Sequence, residues 1–302
     1  MRIENFSEDL LRPVAKLCRR SMELDKMPDF LLKEKTFGDP DYDVNLTLTA
    51  FPENEDPPAG FIQGVIRKRK NGNTGYIKLL CVAPELRRMG IGSELLSRVE
   101  NRLLKLGAGR IRIYESYPNY FMPGVDPFYT EAVCFLERRG YKKFADTSNL
   151  TADLTVNDFN TDTEEKELEK ENIICKRAAA GDKEKILSWV KKKFEGWLPE
   201  ATEAFSADPA TLFITEVNGD VKAFSAHEVN NKGTGWFGPM GTDDTLRGKG
   251  IGGILLRKCL ADMKSMGFQK AIIPWVGPIP FYMHYSGAKV SRVFWRYEKV
   301  FS

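Results

Sequence analysis

The segment Arg87-Arg88-Met89-Gly90-Ile91-Gly92 returns as Arg247-Gly248-Lys249-Gly250-Ile251-Gly252, at an offset of 160 residues (247 − 87). Each segment opens a run of apolar residues at helical spacing that keeps the same offset. These residues are Ile91, Leu95, Leu96, Val99, Leu103 and Leu106 in the first run, and Ile251, Leu255, Leu256, Cys259, Met263 and Met266 in the second. Such a repeat indicates two copies of one fold within the chain.

A glycine follows each helical pattern, and a short strand follows each glycine. Gly107 and Gly267 stand where a left-handed residue would end a helix. The segments from Arg110 to Tyr114 and from Lys270 to Pro274 are typical of β-strands. The sequence therefore predicts strand, glycine turn, amphipathic helix, glycine and strand twice in one register.

The composition favours two ordinary globular domains. Of the 302 residues 42% are hydrophobic, which is enough for two domains of about 150 residues each. The formal charge of +3 argues against nucleic acid or an anionic membrane as the main partner. The five cysteines are widely spaced and lack a CxxC pair, so neither a disulfide framework nor a metal site is predicted.

The chain also lacks the signals of export and membrane insertion. Its start, Met1-Arg2-Ile3-Glu4-Asn5, is not the apolar run of a signal peptide, and no stretch of eighteen apolar residues occurs. We therefore expect a soluble cytoplasmic protein without a membrane partner.

Acidic residues are dense between Val156 and Glu171, and we place the boundary between the copies there. The predicted domains are residues 1–155 and 172–302, joined by 156–171 as a linker or a short surface helix. Besides the repeated segment, the predicted strands of the first domain are 2–6, 46–51, 60–68 and 75–82, with helices at 9–23, 30–37 and 131–138. Those of the second are strands 173–177, 211–217, 221–229, 235–240, 290–294 and 297–300, with a helix at 182–194.

Both glycine turns have the features of an anion site. A helix that begins at a glycine turn points unpaired backbone N–H groups, and the positive end of its dipole, at whatever lies before it. Glycine lets an anion reach the main chain, and Arg87 and Arg247 add charge-assisted hydrogen bonds. A purely structural turn is the alternative, which two copies in one register disfavour.

Known phosphate-binding motifs differ in how well they fit. The ATP-binding P-loop requires GxxxxGK followed by Ser or Thr, which the chain lacks. The second copy satisfies the dinucleotide motif GxGxxG through Gly253, but the first copy has Arg88 and Ser93 at two of the glycine positions. Because both turns lie in mid-domain rather than in an opening βαβ unit, the dinucleotide motif is disfavoured.

Val82-Ala83-Pro84, followed by Arg87-x-x-Gly90-x-Gly92 and an amphipathic helix, resembles the acyl-coenzyme A signature of the GNAT acetyltransferase superfamily. The resemblance covers both halves, and the tandem arrangement is similar to that of mycothiol synthase and related two-domain members. It implies an α/β (α+β) fold of two tandem GNAT-like domains, each a mixed, largely antiparallel sheet flanked by helices.

The resemblance also implies acetyl-coenzyme A (CoA) as the cofactor. In the family it lies in a V between the fourth and fifth strands, with its pyrophosphate on the glycine turn, here residues 87–92 and 247–252. The matching pantetheine-binding residues are Leu80, Cys81 and Val82 in the first copy and Met240, Gly241 and Thr242 in the second. Pro239 cannot donate a ladder hydrogen bond, so the strand from Trp236 to Thr242 is expected to bulge or end early.

In the family, a tyrosine on the fourth helix commonly protonates the leaving thiolate. Phe281-Tyr282 before Gly287-Ala288 matches that position, so the resemblance makes Tyr282 the candidate acid and Tyr285 a weaker one. The first copy has Leu136 there, although its spacing to the next glycine differs by one residue. The alternative for Tyr282 is an aromatic core residue whose hydroxyl reaches solvent.

Three residues are candidates for activating the acceptor. His227 and Glu228 could act as a general base or belong to a water chain, and the alternative for His227 is an exposed position. Glu115 could polarise an amine or simply end a strand in solvent. The loop from Ser116 to Pro127, rich in proline and aromatic residues, is expected to form a rigid wall.

The resemblance implies direct acetyl transfer to a primary amine of a small molecule or peptide. The alternative is a CoA-binding regulatory or scaffold protein without turnover. We expect catalysis in the second domain because Tyr282 and both histidines, His227 and His284, lie there. The acceptor and the oligomeric state stay open.

Overall fold

The computed structural model describes residues 1–52, 57–68 and 72–301. The chain forms two compact units, of which the first unit is Met1–Thr147 with Phe294–Ser302 and the second unit is Ser148–Val293. Within the described ranges, none of the helices combines the length and the hydrophobicity that crossing a membrane requires.

The elements of the first unit come in the predicted order. Its strands are β1 (Arg2–Asn5), β2 (Thr47–Phe51), β3 (Gly60–Arg67), β4 (Asn73–Val82), β5 (Ala108–Ile113) and the first part of β6 (Lys142–Asp153). Its helices are α1 (Leu11–Ser21), α2 (Asp29–Lys35), α3 (Ile91–Lys105) and α4 (Thr130–Arg138).

The sheet of the first unit is mixed and has helices on both faces. Strands β1 to β4 are antiparallel neighbours, and β5 runs parallel to β4. Helix α3 packs closely on β3 because Gly60 and Gly64 have no side chains to hold Ile91 and Val99 away. Helix α1 lies on the opposite face.

The second unit repeats this plan. Its strands are β7 (Ile173–Arg177), β8 (Leu212–Val217), β9 (Asp220–His227), β10 (Phe237–Thr242), β11 (Lys270–Ile273), the rest of β6 and the first part of β12 (Lys289–Val300). Its helices are α5 (Asp162–Glu169), α6 (Lys183–Lys193), α7 (Leu198–Glu203), α8 (Ile251–Ser265) and α9 (Ile279–Ser286).

The core of the second unit has two layers, one on each face of the antiparallel sheet β7-β8-β9-β10. Helix α8 covers one face with apolar residues that include Ile254, Leu255 and Cys259. Helices α6 and α7 and the segment between them cover the other face, where Trp189, Phe194 and Trp197 form an aromatic cluster with Phe224 of β9. The predicted α/β fold with two copies of one arrangement is confirmed.

The observed units differ from the predicted boundaries of 1–155, 156–171 and 172–302. Segment 156–171 contains helix α5, and its Phe159 and Leu168 are buried in the core of the second unit. At the carboxyl end, Glu298–Val300 of β12 pairs with β5 and so belongs to the first unit. The two predicted final strands are one strand. Sequence periodicity reports the strand itself but not the strand that it pairs with, which explains the difference.

Candidate active site

The glycine turn of the first unit presents unpaired N–H groups. Helix α3 begins at Ile91 after Gly90, whose φ of +87° is left-handed. The first hydrogen bond of the helix joins the N–H of Glu94 to the carbonyl of Gly90 at 3.0 Å. No side-chain cap on this helix is found among the described residues, so the N–H groups of residues 91–93 point out of it. A Cβ on Gly90 would meet no atom of the described residues within 4 Å.

The turn of the second unit has the same backbone. Helix α8 begins at Ile251 after Gly250, with φ +75°, and the N–H of Ile254 bonds to the Gly250 carbonyl at 3.1 Å. Two residues before Gly250, Gly248 has φ +83°. At the same place in the first turn, two residues before Gly90, Arg88 has φ +69°. A non-glycine residue in this region costs roughly 1–2 kcal/mol. The first turn therefore adopts this backbone conformation despite its cost at Arg88. Both turns are suited to an anion such as pyrophosphate.

Basic side chains flank both turns. Arg87 is 35% exposed and donates to a main-chain carbonyl of α1 at 3.1 Å. Arg247 and Lys249 form surface ion pairs with acidic residues at 2.7 and 2.5 Å. Arg88 and Met89 are exposed at the turn. Exposed pairs contribute about 0–1 kcal/mol, so a bound phosphate could replace the partners of Arg247 and Lys249.

In the first unit, β4 and β5 separate beyond Ile77. They pair in parallel up to Ile77↔Ile113, and the end of β4, residues 79–82, pairs with β3 and with no other described strand. Val82 is half-buried beside Gly92 at the start of α3. Cys81 is buried and faces α1, away from that turn. Unpaired backbone thus leads to the turn, but the Cys81 side chain does not line it.

In the second unit, β10 and β11 are joined before β10 begins, by the parallel bridge Trp236↔Ile272. From there β10 pairs with β9, and its described residues form no ladder with β11. The predicted irregularity at Pro239 is confirmed, because the register with β9 shifts between Phe237 and Met240. A V-shaped gap between β10 and β11 therefore opens in this unit as well.

The predicted pantetheine residues of the second unit differ in exposure. Met240 is half-buried and lies beside Gly252, while Thr242 is half-buried at the end of β10. Gly241 is buried, and the ring of Phe194 occupies the space where its Cβ would point. Met240 thus faces the glycine turn, whereas the next residue, Gly241, faces the aromatic cluster.

Contacts at the two turns establish which residues of α4 and α9 correspond. The ring of Phe135 lies beside Gly92, and the ring of Phe281 lies beside Gly252. These two phenylalanines are therefore equivalent, and the residues that follow them, Leu136 and Tyr282, are equivalent too. The one-residue difference in spacing to the next glycine arises after this point in the helices.

Tyr282 stands next to the bulged part of β10. Its ring meets those of Phe237 and Phe281 edge-on, at centroid distances of 6.2 and 5.1 Å. Burial raises the pKa of Tyr282 to about 12, so its hydroxyl keeps its proton at neutral pH. The side chain is placed where β10 leaves β11, which is the region that the predicted acid must reach.

His227 lies in the core, so the alternative of an exposed position is wrong. Its side chain is fully buried, and its Nε2 is 2.8 Å from the carboxylate of Asp262 on α8. Although burial opposes it, hydrogen bonds from His227 and Arg177 hold the pKa of Asp262 well below its usual range. The other ring nitrogen is buried. A catalytic role for His227 stays a prediction, and these contacts favour a structural one.

Glu228 supports the loop between β9 and β10. It adopts a φ of +53°, and its carboxylate accepts hydrogen bonds from the N–H groups of Trp236, at 2.7 Å, and Gly233. Burial raises the pKa of Glu228 despite these bonds. Its role as a base stays a prediction, since the carboxylate is already engaged by the loop that it shapes.

Glu115 is buried, so its predicted alternative of a solvated strand end is wrong. Arg112 and Arg296 donate to its carboxylate at 3.0 and 2.6 Å. The loop that follows is held by Arg67, which donates to three of its main-chain carbonyls at 2.8–3.2 Å. Arg67 was not a sequence candidate. The signal in the sequence that could have identified Arg67 is its place as a charged residue at the end of a mostly apolar strand.

Gly253, the third glycine of the apparent dinucleotide motif, serves helix packing. A Cβ on this residue would overlap the ring of Tyr285 on α9. In the first copy the position holds Ser93, whose hydroxyl accepts a hydrogen bond from Arg139, the residue that follows α4. The motif is therefore explained by the contact between α8 and α9 rather than by a dinucleotide.

We expect Gly253→Ala to destabilise the protein by about 1–3 kcal/mol, because the added methyl overpacks against Tyr285. In a Tyr285→Ala background the same change should instead stabilise by up to about 1 kcal/mol, since alanine is the better helix former. Urea denaturation of the double-mutant cycle measures both. Additive effects would contradict the assigned contact.

Comparison with known proteins supports the two-copy fold. The acetyltransferase (GNAT) family matches the chain twice, over residues 11–122 and 182–282. No curated protein sequence matches it. Among solved structures, the GCN5-related glucosamine N-acetyltransferase region of a fungal multi-domain GH3 beta-N-acetylglucosaminidase is similar, with a TM-score of 0.83 and 20% identity. That similarity covers 99% of this chain and 38% of the fungal chain.

Two further structures are similar over nearly their whole length. A GCN5-related N-acetyltransferase from Sphaerobacter thermophilus has a TM-score of 0.70 at 17% identity, covering 99% of this chain and 95% of that one. A tandem GNAT protein from the clavulanic acid biosynthesis pathway has a TM-score of 0.66 at 13% identity, covering 99% and 98%. At these identities the likeness concerns the fold. Together with the double family match, which spans more than half of the residues, it shows that the chain belongs to the acetyltransferase (GNAT) family and contains two copies of its domain.

Proposed function

We propose that the protein transfers an acetyl group directly from acetyl-coenzyme A to a primary amine of a small molecule or peptide. One observation, present in both units, is the main support. A glycine turn with unpaired N–H groups lies beside a fourth strand that the fifth strand leaves unpaired. An anion at the turn and an extended amide chain along the strand would satisfy both sets of backbone groups.

The described residues fit CoA in both units. The N–H groups of residues 91–93 and 251–253 would bind pyrophosphate, and open space lies before Gly90 and Gly250. Pantetheine would lie along residues 80–82 of β4 or 240–242 of β10. Acetyl-CoA would supply the activated acyl thioester, and the chain would orient it and move protons.

We place turnover in the second unit because of the difference between Tyr282 and Leu136. In the reaction the amine nitrogen forms a bond to the acyl carbon and loses one proton, while the C–S bond breaks and the sulfur gains one. Tyr282 would give its hydroxyl proton to the sulfur and recover one from solvent. Leu136 has no proton to give, so the first unit would bind CoA without this step.

The test is release of free thiol from acetyl-CoA in the presence of a panel of amines. Glucosamine is the first acceptor to include, because the fungal region with the TM-score of 0.83 is a glucosamine N-acetyltransferase. Peptides with free amino termini form the second group. CoA binding without thiol release on any acceptor would instead support the alternative, a CoA-binding regulatory or scaffold protein.

We expect Gly250→Val to weaken CoA binding at the second unit by about tenfold or more, because the side chain blocks the approach of phosphate to the main chain. Gly90→Val should do the same in the first unit. Isothermal titration calorimetry gives the affinity and stoichiometry of each variant.

Gly267→Val is the matched control for Gly250→Val. Gly267 also has a left-handed φ, +94°, and open space around its Cβ position, but it lies at the other end of α8. It thus reproduces the backbone strain without touching the turn. Equal losses of affinity in both variants, or no loss in either glycine-turn variant, would show that the turns do not bind phosphate.

The five cysteines are free thiols. We propose a cytoplasmic location on that basis, because unpaired cysteines are usual in a reducing compartment.

A further inference from the structure

Lys78 bulges from β4 at the point where the V of the first unit opens. Gln63 pairs with Leu79 and Gly64 pairs with Ile77, so the register on β3 skips Lys78. Ile77 is also the last residue of β4 that pairs with β5. Lys78 therefore occupies the apex of the V, where the two strands begin to separate.

The Lys78 side chain is fully buried among polar partners. Its Nζ bonds to the carboxylate of Asp39 and lies 3.3 Å from the side-chain oxygen of Asn119. Arg67 donates two further hydrogen bonds to Asp39, at 2.6 and 2.7 Å. Burial lowers the pKa of Lys78 to about 7, against the opposing charge of Asp39. An amine held here is therefore partly neutral at pH 7, and the neutral form is the one that an acyl acceptor must take.

The second unit has an irregularity at the corresponding position, with a different backbone and no side chain, because Gly238 has φ +105° and Lys78 does not have a positive φ. The residue at the offset of 160 is Gly238, within the segment where the register of β10 shifts. Within the part of the chain that the structure describes, a Cβ on Gly238 would meet no atom within 4 Å. At the apex of the second unit, the space directly beside Gly238 is therefore not filled by a described side chain.

We propose that the apex of the V in the first unit is an amine-binding subsite, and that the chain's own Lys78 fills it. Its ligand class is an unbranched primary alkylamine, whose nitrogen would bond to Asp39 and Asn119 while its methylenes follow the path of the lysine. The relation to acetyl transfer rests on the proposed function, whereas amine binding stands on the contacts alone. With Lys78 in place, this subsite is closed to external amines, which agrees with the proposal that turnover occurs in the second unit.

The experiment removes the internal amine and offers an external one. Lys78→Gly reproduces the glycine of the second unit, and n-butylamine supplies the four methylenes and the nitrogen that the variant lacks. We expect butylamine at pH 7.5 to raise the melting temperature of Lys78→Gly by about 2 °C or more at saturation. We expect n-butanol, which lacks the amine, to have no such effect.

Two lysine variants serve as controls. Lys78→Met keeps the volume filled without an amine, so butylamine should leave its melting temperature unchanged. Lys142→Gly removes an exposed lysine from strand β6 of the same unit. If butylamine stabilises Lys78→Gly no more than Lys142→Gly, or if Lys78→Gly stays unfolded in butylamine, the proposal is overturned. Because no activity is measured, a failure of acetyl transfer would be seen separately, in the thiol assay.

Discussion

Replacing Tyr282 with phenylalanine is expected to lower the turnover number of acetyl transfer about 100-fold, the lower end of what general acids contribute. The substitution removes the hydroxyl but keeps the ring that packs between Phe237 and Phe281. The fold and the CoA site should therefore persist. Since the lost proton transfer occurs only in the reaction, the affinity for CoA should stay nearly unchanged.

Steady-state kinetics and calorimetry on the same protein separate these two quantities. Tyr285→Phe is the comparison, because Tyr285 is the other candidate acid on α9 and its ring packs over Gly253. A large loss of turnover in Tyr285→Phe, with none in Tyr282→Phe, would assign the acid to Tyr285. Full activity in Tyr282→Phe together with lost activity in Gly90→Val would place the active site in the first unit.

Most of the fold could be predicted from the repeated segment because its residues determine the local backbone conformation. A glycine pair before an amphipathic run specifies a left-handed turn and a helix start, whatever the rest of the chain does. Helices α3 and α8 accordingly begin at Ile91 and Ile251, directly after Gly90 and Gly250. The bulge near Pro239 was likewise predictable, since proline cannot take part in a ladder.

Features that depend on contacts between distant residues could not be predicted in this way. Nothing in the period-two pattern of β12 states that its last residues pair with β5. The burial of His227 depends on its contact with Asp262 on α8, which lies 35 residues further along the chain. The residue sequence around Lys78 is apolar, and only the bulge in register shows that its side chain enters a buried site.

Asp39→Asn is expected to lower the free energy of unfolding by about 3–5 kcal/mol, the usual cost of removing one partner from a buried ion pair. Asp39 bonds both Arg67 and Lys78, and the side chains of all three are almost completely buried. Asparagine fills the same volume but carries no charge. The variant would therefore keep the packing but remove the negative charge that balances Arg67 and keeps Lys78 protonated.

Asp41→Asn is the matched control. Asp41 accepts a hydrogen bond from the same guanidinium, at 2.7 Å, but its side chain is 49% exposed. Water screens that pair, so its loss should cost less than about 1 kcal/mol. Urea denaturation at pH 6, where Lys78 is mostly charged because its pKa is about 7, gives both values. Equal small losses in the two variants would contradict the assignment.

The pH dependence gives an independent check on Asp39. Burial acts to raise its pKa, but the hydrogen bonds of Arg67 and the charge of Lys78 outweigh burial and lower it. A carboxyl group with a lowered pKa stabilises the fold above its ordinary pKa, and the stabilisation is lost as the pH falls through the folded value. The difference in stability between the parent and Asp39→Asn should therefore persist at pH 5–6 and shrink as the solution is acidified below about pH 4. A difference that stays constant down to pH 3 would mean that the stabilisation comes from the shape of the side chain and not from its charge.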